Sequence, residues 1–223
     1  MQPLQRLIAN DGYEVMLFPL EYMYISQDEY GQTSHQDILA IDFLGWNSLG
    51  RVYQCPYYAP CSCTCITSTD ASANNRIWQS TNKVHLADGS LDYVTWVVAH
   101  DNNPPAIGTS LVQGQLMGHT GTAGYVTGDH LHLNVAKGQY ANWEQVPPSY
   151  NWQLRNSMHI YNACFVNDTI IIDGEGHNWI TWDEPPTPTE KGKKTKFPWV
   201  LYARKFRERT DVWHLFFFVV FII

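Results

Sequence analysis

Positive charge is scarce over most of this 223-residue chain. Residues 1–190 carry only 6 Lys and Arg against 19 Asp and Glu, a net charge of -13. That gives no sign of a nucleic-acid surface on this part, because phosphate binding rests on clustered cations. Long apolar runs are missing too. Leu7-Ile8-Ala9 gives way at once to Asn10-Asp11-Gly12, too brief for a secretory signal. The apolar residues 215–223 fall well short of the ~20 that a spanning helix needs. Cysteine is sparse and odd in number, five in all, which argues against a disulfide framework. Cys61, Cys63 and Cys65 alternate with Ser62 and Thr64, whereas zinc pairs are usually spaced C-x2-C. Together with Cys55 and Cys164 they read as structural, mostly buried thiols. There are no repeats, and no long amphipathic helix is expected before residue 140.

What is present is aromatic and strand-like. Nine Trp, thirteen Tyr and nine Phe accompany glycine and proline spread along the chain. Runs at 13–18, 39–44, 94–100 and 130–135 are apolar, β-branched or alternating, and Asp88-Gly89, Gly114, Gly118, Gly121, Gly124 and Gly128 punctuate them. The expected class is mainly β, an antiparallel sheet domain with a flexible basic C-terminal tail. Residues 1–140 read as the main domain and 141–184 as an aromatic-rich extension of it. Trp143, Trp152, Trp179 and Trp182 there could extend the domain, form a carbohydrate-facing patch or pack, and packing is favoured. A strand is expected at 169–172, with a turn at Asp173-Gly174. Residues 185–196 read as a Pro/Lys linker, and 197–223 as a basic then apolar tail. Residues 191–223 net +6 and could meet anionic lipid, anionic wall polymer or nucleic acid, the first two being favoured.

The chemistry concentrates at Gly128-Asp129-His130-Leu131-His132. Histidines two apart on a strand share a face, so one can hold a metal while the other touches what the metal activates. Before them come Val112-Gln113-Gly114-Gln115-Leu116-Met117-Gly118 and Thr120-Gly121-Thr122-Ala123-Gly124. His100 follows an apolar strand, and His35 and Asp42 lie upstream. Across roughly 13–138 this pattern resembles the M23 zinc metallopeptidases, the lysostaphin- and LytM-like peptidoglycan endopeptidases. Tyr58-Ala59-Pro60 resembles that family's A-P turn.

The resemblance implies a LytM-like (duplicated hybrid motif) fold, with one Zn²⁺ per chain held by His35, Asp42 and His132. His100 and His130 would stand beside the metal as catalytic residues, one moving the proton and one stabilising the oxyanion, their roles interchangeable at this point. Where the family has H-x3-D, six residues separate His35 from Asp42. Asp37 is the rival ligand, but Asp42 is preferred because an unpaired carboxylate in an apolar strand is costly. His85, His159, His177 and His214 have no motif around them and read as surface or locally bonded, and His119 as at most a groove residue.

The implied activity is zinc-dependent endopeptidase cleavage of bacterial peptidoglycan peptides, with no nucleic-acid partner. Without a visible signal peptide, such a protein would be made in a host cytoplasm and act at the wall as a bacteriophage lysin, holin-dependent or virion-associated. The alternative is a non-catalytic wall-binding or tail-structural protein that keeps the fold.

Overall fold

Alternation in residues 131–137 organises the molecule. In the computed structural model, which describes residues 1–185, Leu131–Lys137 is a seven-residue strand. Leu131, Leu133 and Val135 enter the main core, while Ala136 packs in a separate cluster on the opposite face. His132 and Asn134 share that opposite face by strand periodicity. The neighbouring strand Val94–Ala99 divides likewise. Val94, Trp96 and Val98 face the core and Val97 faces outward. Each large side chain so buried contributes about 1.5–3 kcal/mol.

These two strands sit at the centre of a nine-stranded sheet. On one side follow Arg76–Ser80, Cys63–Thr67 and Ser110–Leu111, and on the other Ala40–Phe43, Tyr22–Gln27 and Ile170–Asp173. Ser157–Met158 adds onto Leu131–Lys137. Pairing is antiparallel except where Ile170–Asp173 runs parallel to Tyr22–Gln27. A second parallel pair, Glu14–Val15 with Val84–His85, belongs to a small separate sheet. The mainly β expectation therefore holds, with two parallel pairs inside it. The helix Ile160–Ala163 is only four residues long, and among the described residues no helix is long and apolar enough to cross a membrane.

Some boundaries shift for physical reasons. Only Glu14–Val15 of the 13–18 run is a strand, because Leu17 and Phe18 turn to other partners, the carbonyls of Pro60 and Phe165. His130 lies just before its strand rather than in it, held through a bridge to Gly121. The late strand is Ile170–Asp173, and the turn after it falls at Glu175-Gly176. All five cysteines are free and buried, as expected of core thiols, and burial pushes every one of these thiols above the usual cysteine range.

Residues Met1–Glu184 form one compact unit. Within it, Trp179 packs on the main core, Trp182 on a cluster with Val15 and Phe165, and Trp143 on Ile77, Val97, Ala136 and Leu154. Trp152 departs from the packing expectation and stays 47% exposed. Trp143–Val146 and Asn151–Leu154 form a hairpin. Leu154 lies on its inward side, so the hairpin covers part of the sheet face opposite the main core. The rest of the linker and the tail, including the membrane or wall-polymer contact expected at 191–223 and His214, lie outside the described residues.

A candidate metal centre in an open cleft

Three strands bring the chemistry to one end of that outward face. Asp42 pairs in register with His132, and His132 with Ala99, the residue before His100. His35 reaches the same point from the loop after Tyr22–Gln27. His35 Nε2, Asp42 Oδ1 and His132 Nδ1 form a triangle with edges of 3.3, 3.0 and 3.3 Å. Tetrahedral zinc with bonds of about 2.0–2.1 Å separates its ligand atoms by about 3.3 Å, so this donor set fits the ion in type and spacing. Among the described residues it is the one His/Cys/Asp/Glu group close enough to hold a metal.

Two of the three donors are aimed by a partner outside the triangle. A backbone carbonyl only accepts, so the carbonyl of Asp28 at 3.1 Å fixes the proton of His35 on Nδ1 and frees Nε2. Gln27 Nε2 donates to Asp42 Oδ2 at 3.1 Å, leaving Oδ1 for the centre. Gln27 is in turn held by Ser34, through the Ser34 amide and hydroxyl. Burial opposes the Asp42 charge, but hydrogen bonds and charge from His132 and His35 overrule it and hold the carboxyl well below the usual range. Burial also lowers the His132 imidazole, against the pull of Asp42.

His100 and His130 flank the triangle, their rings 4.6 Å apart. His100 donates from Nδ1 to the carbonyl of Ala123, and His130 from Nδ1 to that of Gly128, both at 2.8 Å. Both therefore present an unprotonated Nε2 when neutral, and that of His130 lies 3.6 Å from Asp42 Oδ1. Burial, then the neighbouring His132, lowers His100 to about 4 against the Ala123 carbonyl, so it stays neutral near pH 7. The backbone of His100 is left-handed, with φ +78°, a conformation that costs a non-glycine residue energy and is found at functional sites. Gly121 makes this possible from the other side, since a Cβ there would stand 2.2 Å from the His100 carbonyl oxygen.

The stretched His35-to-Asp42 spacing has a structural cause. The backbone turns left-handed at Asp37, whose carboxylate meets the Ser149 amide instead of the centre. The hairpin segment then holds residues 36–39. Asp37 Oδ2 accepts from the Ser149 amide, the Gln36 carbonyl accepts from Ser149 Oγ and Asn151 Nδ2, and the Leu39 amide donates to Gln153. Asp42, not Asp37, is thus the acid facing His35 and His132. His85, His159 and His177 pair locally with Asp11, Glu29 and Asp28 at 2.7 to 2.9 Å. His119 lies at the end of its own strand, outside the cleft lining.

Residue types alone did not point to Gln27, or to Asp129. The Asp129 carboxylate is buried and accepts from Thr120 Oγ1 and the Gln54 amide, fixing the approach to His130. Removing the Gln27 amide frees the Asp42 carboxylate to rotate. Gln27→Ala should weaken zinc affinity about 10–100-fold, as loss of a ligand's hydrogen-bond partner generally does, measured by competition with a chromogenic chelator. Unchanged affinity would mean that Asp42 is oriented without it.

The centre opens into a cleft of about 620 Å³ that also contains Arg51, Tyr125, Trp143 and Trp152. Its floor is the sheet face and its mouth is open, so an extended chain can lie across it.

No family model matches the chain. It is 42% identical over 177 residues to Morphogenesis protein 1 of Bacillus phage B103, covering 78% of this chain and 46% of that protein. The chain thus spans less than half the length of that relative. Among solved structures it is similar to the catalytic domain of lysostaphin from Staphylococcus simulans, 18% identical with a TM-score of 0.38 over 53% of this chain and 84% of the other. A zinc containing peptidase from Vibrio cholerae is 15% identical with a TM-score of 0.39, over 59% and 43%. A prophage-encoded M23 protein from Enterococcus faecalis is 16% identical with a TM-score of 0.38, over 54% and 88%.

Proposed function

We propose that this chain is a zinc-dependent endopeptidase that cuts peptide bonds in bacterial peptidoglycan. The observation that carries the reading is the donor triangle of His35, Asp42 and His132 with two neutral-tautomer imidazoles beside it in one open cleft. Zinc held there supplies Lewis acidity toward a carbonyl oxygen and lowers the pKa of water at its open position to about 7. The chain does the rest. Asp42 offsets the positive charge and keeps both ligand imidazoles in place. His100, neutral near pH 7, accepts the proton of the attacking water at Nε2 and returns it to the leaving amine. His130, when it carries a proton on Nε2, donates to the oxygen on which charge develops. Peptidoglycan as the substrate rests on the motif resemblance in 112–132 and on the open cleft, which admits a branched polymer.

The purified chain should hold about one zinc and clear bands of Gram-positive wall in a zymogram. A chelator should abolish clearing and zinc should restore it. Blank zymograms from zinc-loaded protein would sink the reading. The likeness to a phage morphogenesis protein favours a place in the virion, and with it a second reading, a tail-structural or wall-binding protein without catalysis. That reading expects no stoichiometric zinc and a wall-binding phenotype indifferent to His132→Ala.

A further inference from the structure

The Trp143–Val146 and Asn151–Leu154 hairpin brings two tryptophans into the cleft that the mechanism above does not use. In this pairing Trp143 opposes Leu154 and Trp152 opposes Gln145, so both indoles lie on the same face of the hairpin. Their rings are parallel within 7°, with centroids 6.3 Å apart, an offset-stacked arrangement. Trp143 is anchored on Ile77, Val97, Ala136 and Leu154. Trp152 rests on no such cluster and is 47% exposed, although core sites absorb the other tryptophans of this region. A large apolar surface left in water beside a catalytic cleft, held flat by a rigid neighbour, is built to meet a flat apolar ligand face.

The surroundings narrow the ligand. Asn151, the first residue of the second strand, lines the same cleft, its Nδ2 donating to the Gln36 carbonyl. The hairpin's own charges, Glu144 and Arg155, neutralise each other at 2.7 Å. The platform itself is therefore aromatic and neutral, which suits an uncharged ring that carries hydroxyls and amides rather than a charged peptide terminus. In peptidoglycan that ring is the N-acetylated hexosamine of the glycan strand. Position agrees. Trp143 packs on Val97, two residues along the strand from Ala99, the partner of His132. That is about 7 Å, or two residues of extended peptide, so one substrate can span both places.

We propose that Trp152, backed by Trp143, is a sugar-stacking subsite that binds an N-acetylhexosamine of the glycan while the attached peptide crosses the metal centre. This rests on the proposed peptidoglycan substrate, and the test separates the two. Two substrates share one stem peptide, one carrying its disaccharide and the other sugar-free. Trp152→Ala should raise KM about tenfold on the disaccharide-linked substrate, with kcat and the sugar-free KM unchanged, and Trp152→Tyr should restore most of the loss. Equal KM changes on both substrates, or none on either, would overturn the subsite. Calorimetry with the β-1,4 tetramer of N-acetylglucosamine gives a second reading that needs no cleavage. Wild type should bind and Trp152→Ala should bind at least fivefold more weakly, and absence of binding to wild type counts against the subsite. If the wild type cuts neither substrate but binds the tetramer in a Trp152-dependent way, the subsite stands and the peptidase reading falls.

Discussion

Asp42→Asn should yield a folded chain that no longer retains zinc and whose cleavage rate falls about 10³-fold or more, the several kcal/mol that Lewis-acid assistance supplies. Asp42 Oδ1 stands within 3.0 to 3.6 Å of three imidazoles, His35, His130 and His132, and carries the single negative charge among them. The amide preserves shape and the Gln27 contact at most in part, but it removes the charge that offsets the metal. Metal analysis, a thermal melt and peptide release from walls would be read together. Zinc retained at one per chain with an unchanged rate would remove Asp42 from the centre.

The same groups set an acid limit on the metal-free fold. Asp42 is depressed, so its contribution is full above the unfolded carboxylate pKa of about 3.9 and is lost as pH falls below it. His100 and His132 are depressed as well. Below about 6.5 the unfolded chain takes up protons that these folded imidazoles refuse, so they cost stability progressively as pH drops, for His100 down to about 4. Melting temperature of the metal-stripped chain should therefore begin to fall near pH 6.5, well before carboxylates titrate. A flat profile between pH 6.5 and 4.5 would contradict the burial of these rings.

The second large effect belongs to His100. His100→Asn should keep zinc and fold while kcat drops about 10²–10⁴-fold, the range for a lost general acid–base group. Asparagine is the informative replacement because the backbone there has φ +78°, and Asn accepts the left-handed region far better than most residues. Alanine would mix lost chemistry with backbone strain. With KM little altered, the loss assigns His100 to proton transfer or oxyanion contact rather than to binding. A kcat within twofold of wild type, with zinc in place, would leave His130 to act alone.

Much of this was legible in residue order because alternation and residue type are local properties. Val94–Ala99 and Leu131–Lys137 carry apolar residues at every second position. His35, Asp42, His100, His130 and His132 stand out as the residue types such a centre needs. What was not legible depends on contacts between distant residues. Ser149, Asn151 and Gln153 clasp the 36–39 loop from more than a hundred residues away. Gln27 has no charge and no motif, and its role comes from the cross-strand register that sets it beside Asp42. The carbonyls of Asp28, Ala123 and Gly128 that choose the imidazole tautomers are backbone atoms, which residue identity does not mark. The parallel course of Ile170–Asp173 is equally silent, since a strand-forming run says nothing about its partner's direction.

The pairing of Asp42 with His132, and of His132 with Ala99, has a consequence for how this protein can be assayed. A slip of one residue between these strands would turn the carboxylate or the imidazole into the hydrophobic side and scatter the donors. Ligands drawn from positions 35, 42 and 132 exist as a set only in chains whose central strands are correctly aligned. On the proposed reading, zinc uptake would be a head count of properly assembled molecules. In a refolding experiment, the moles of ion taken up per mole of protein should equal the fraction that has reached the native register, independently of any substrate.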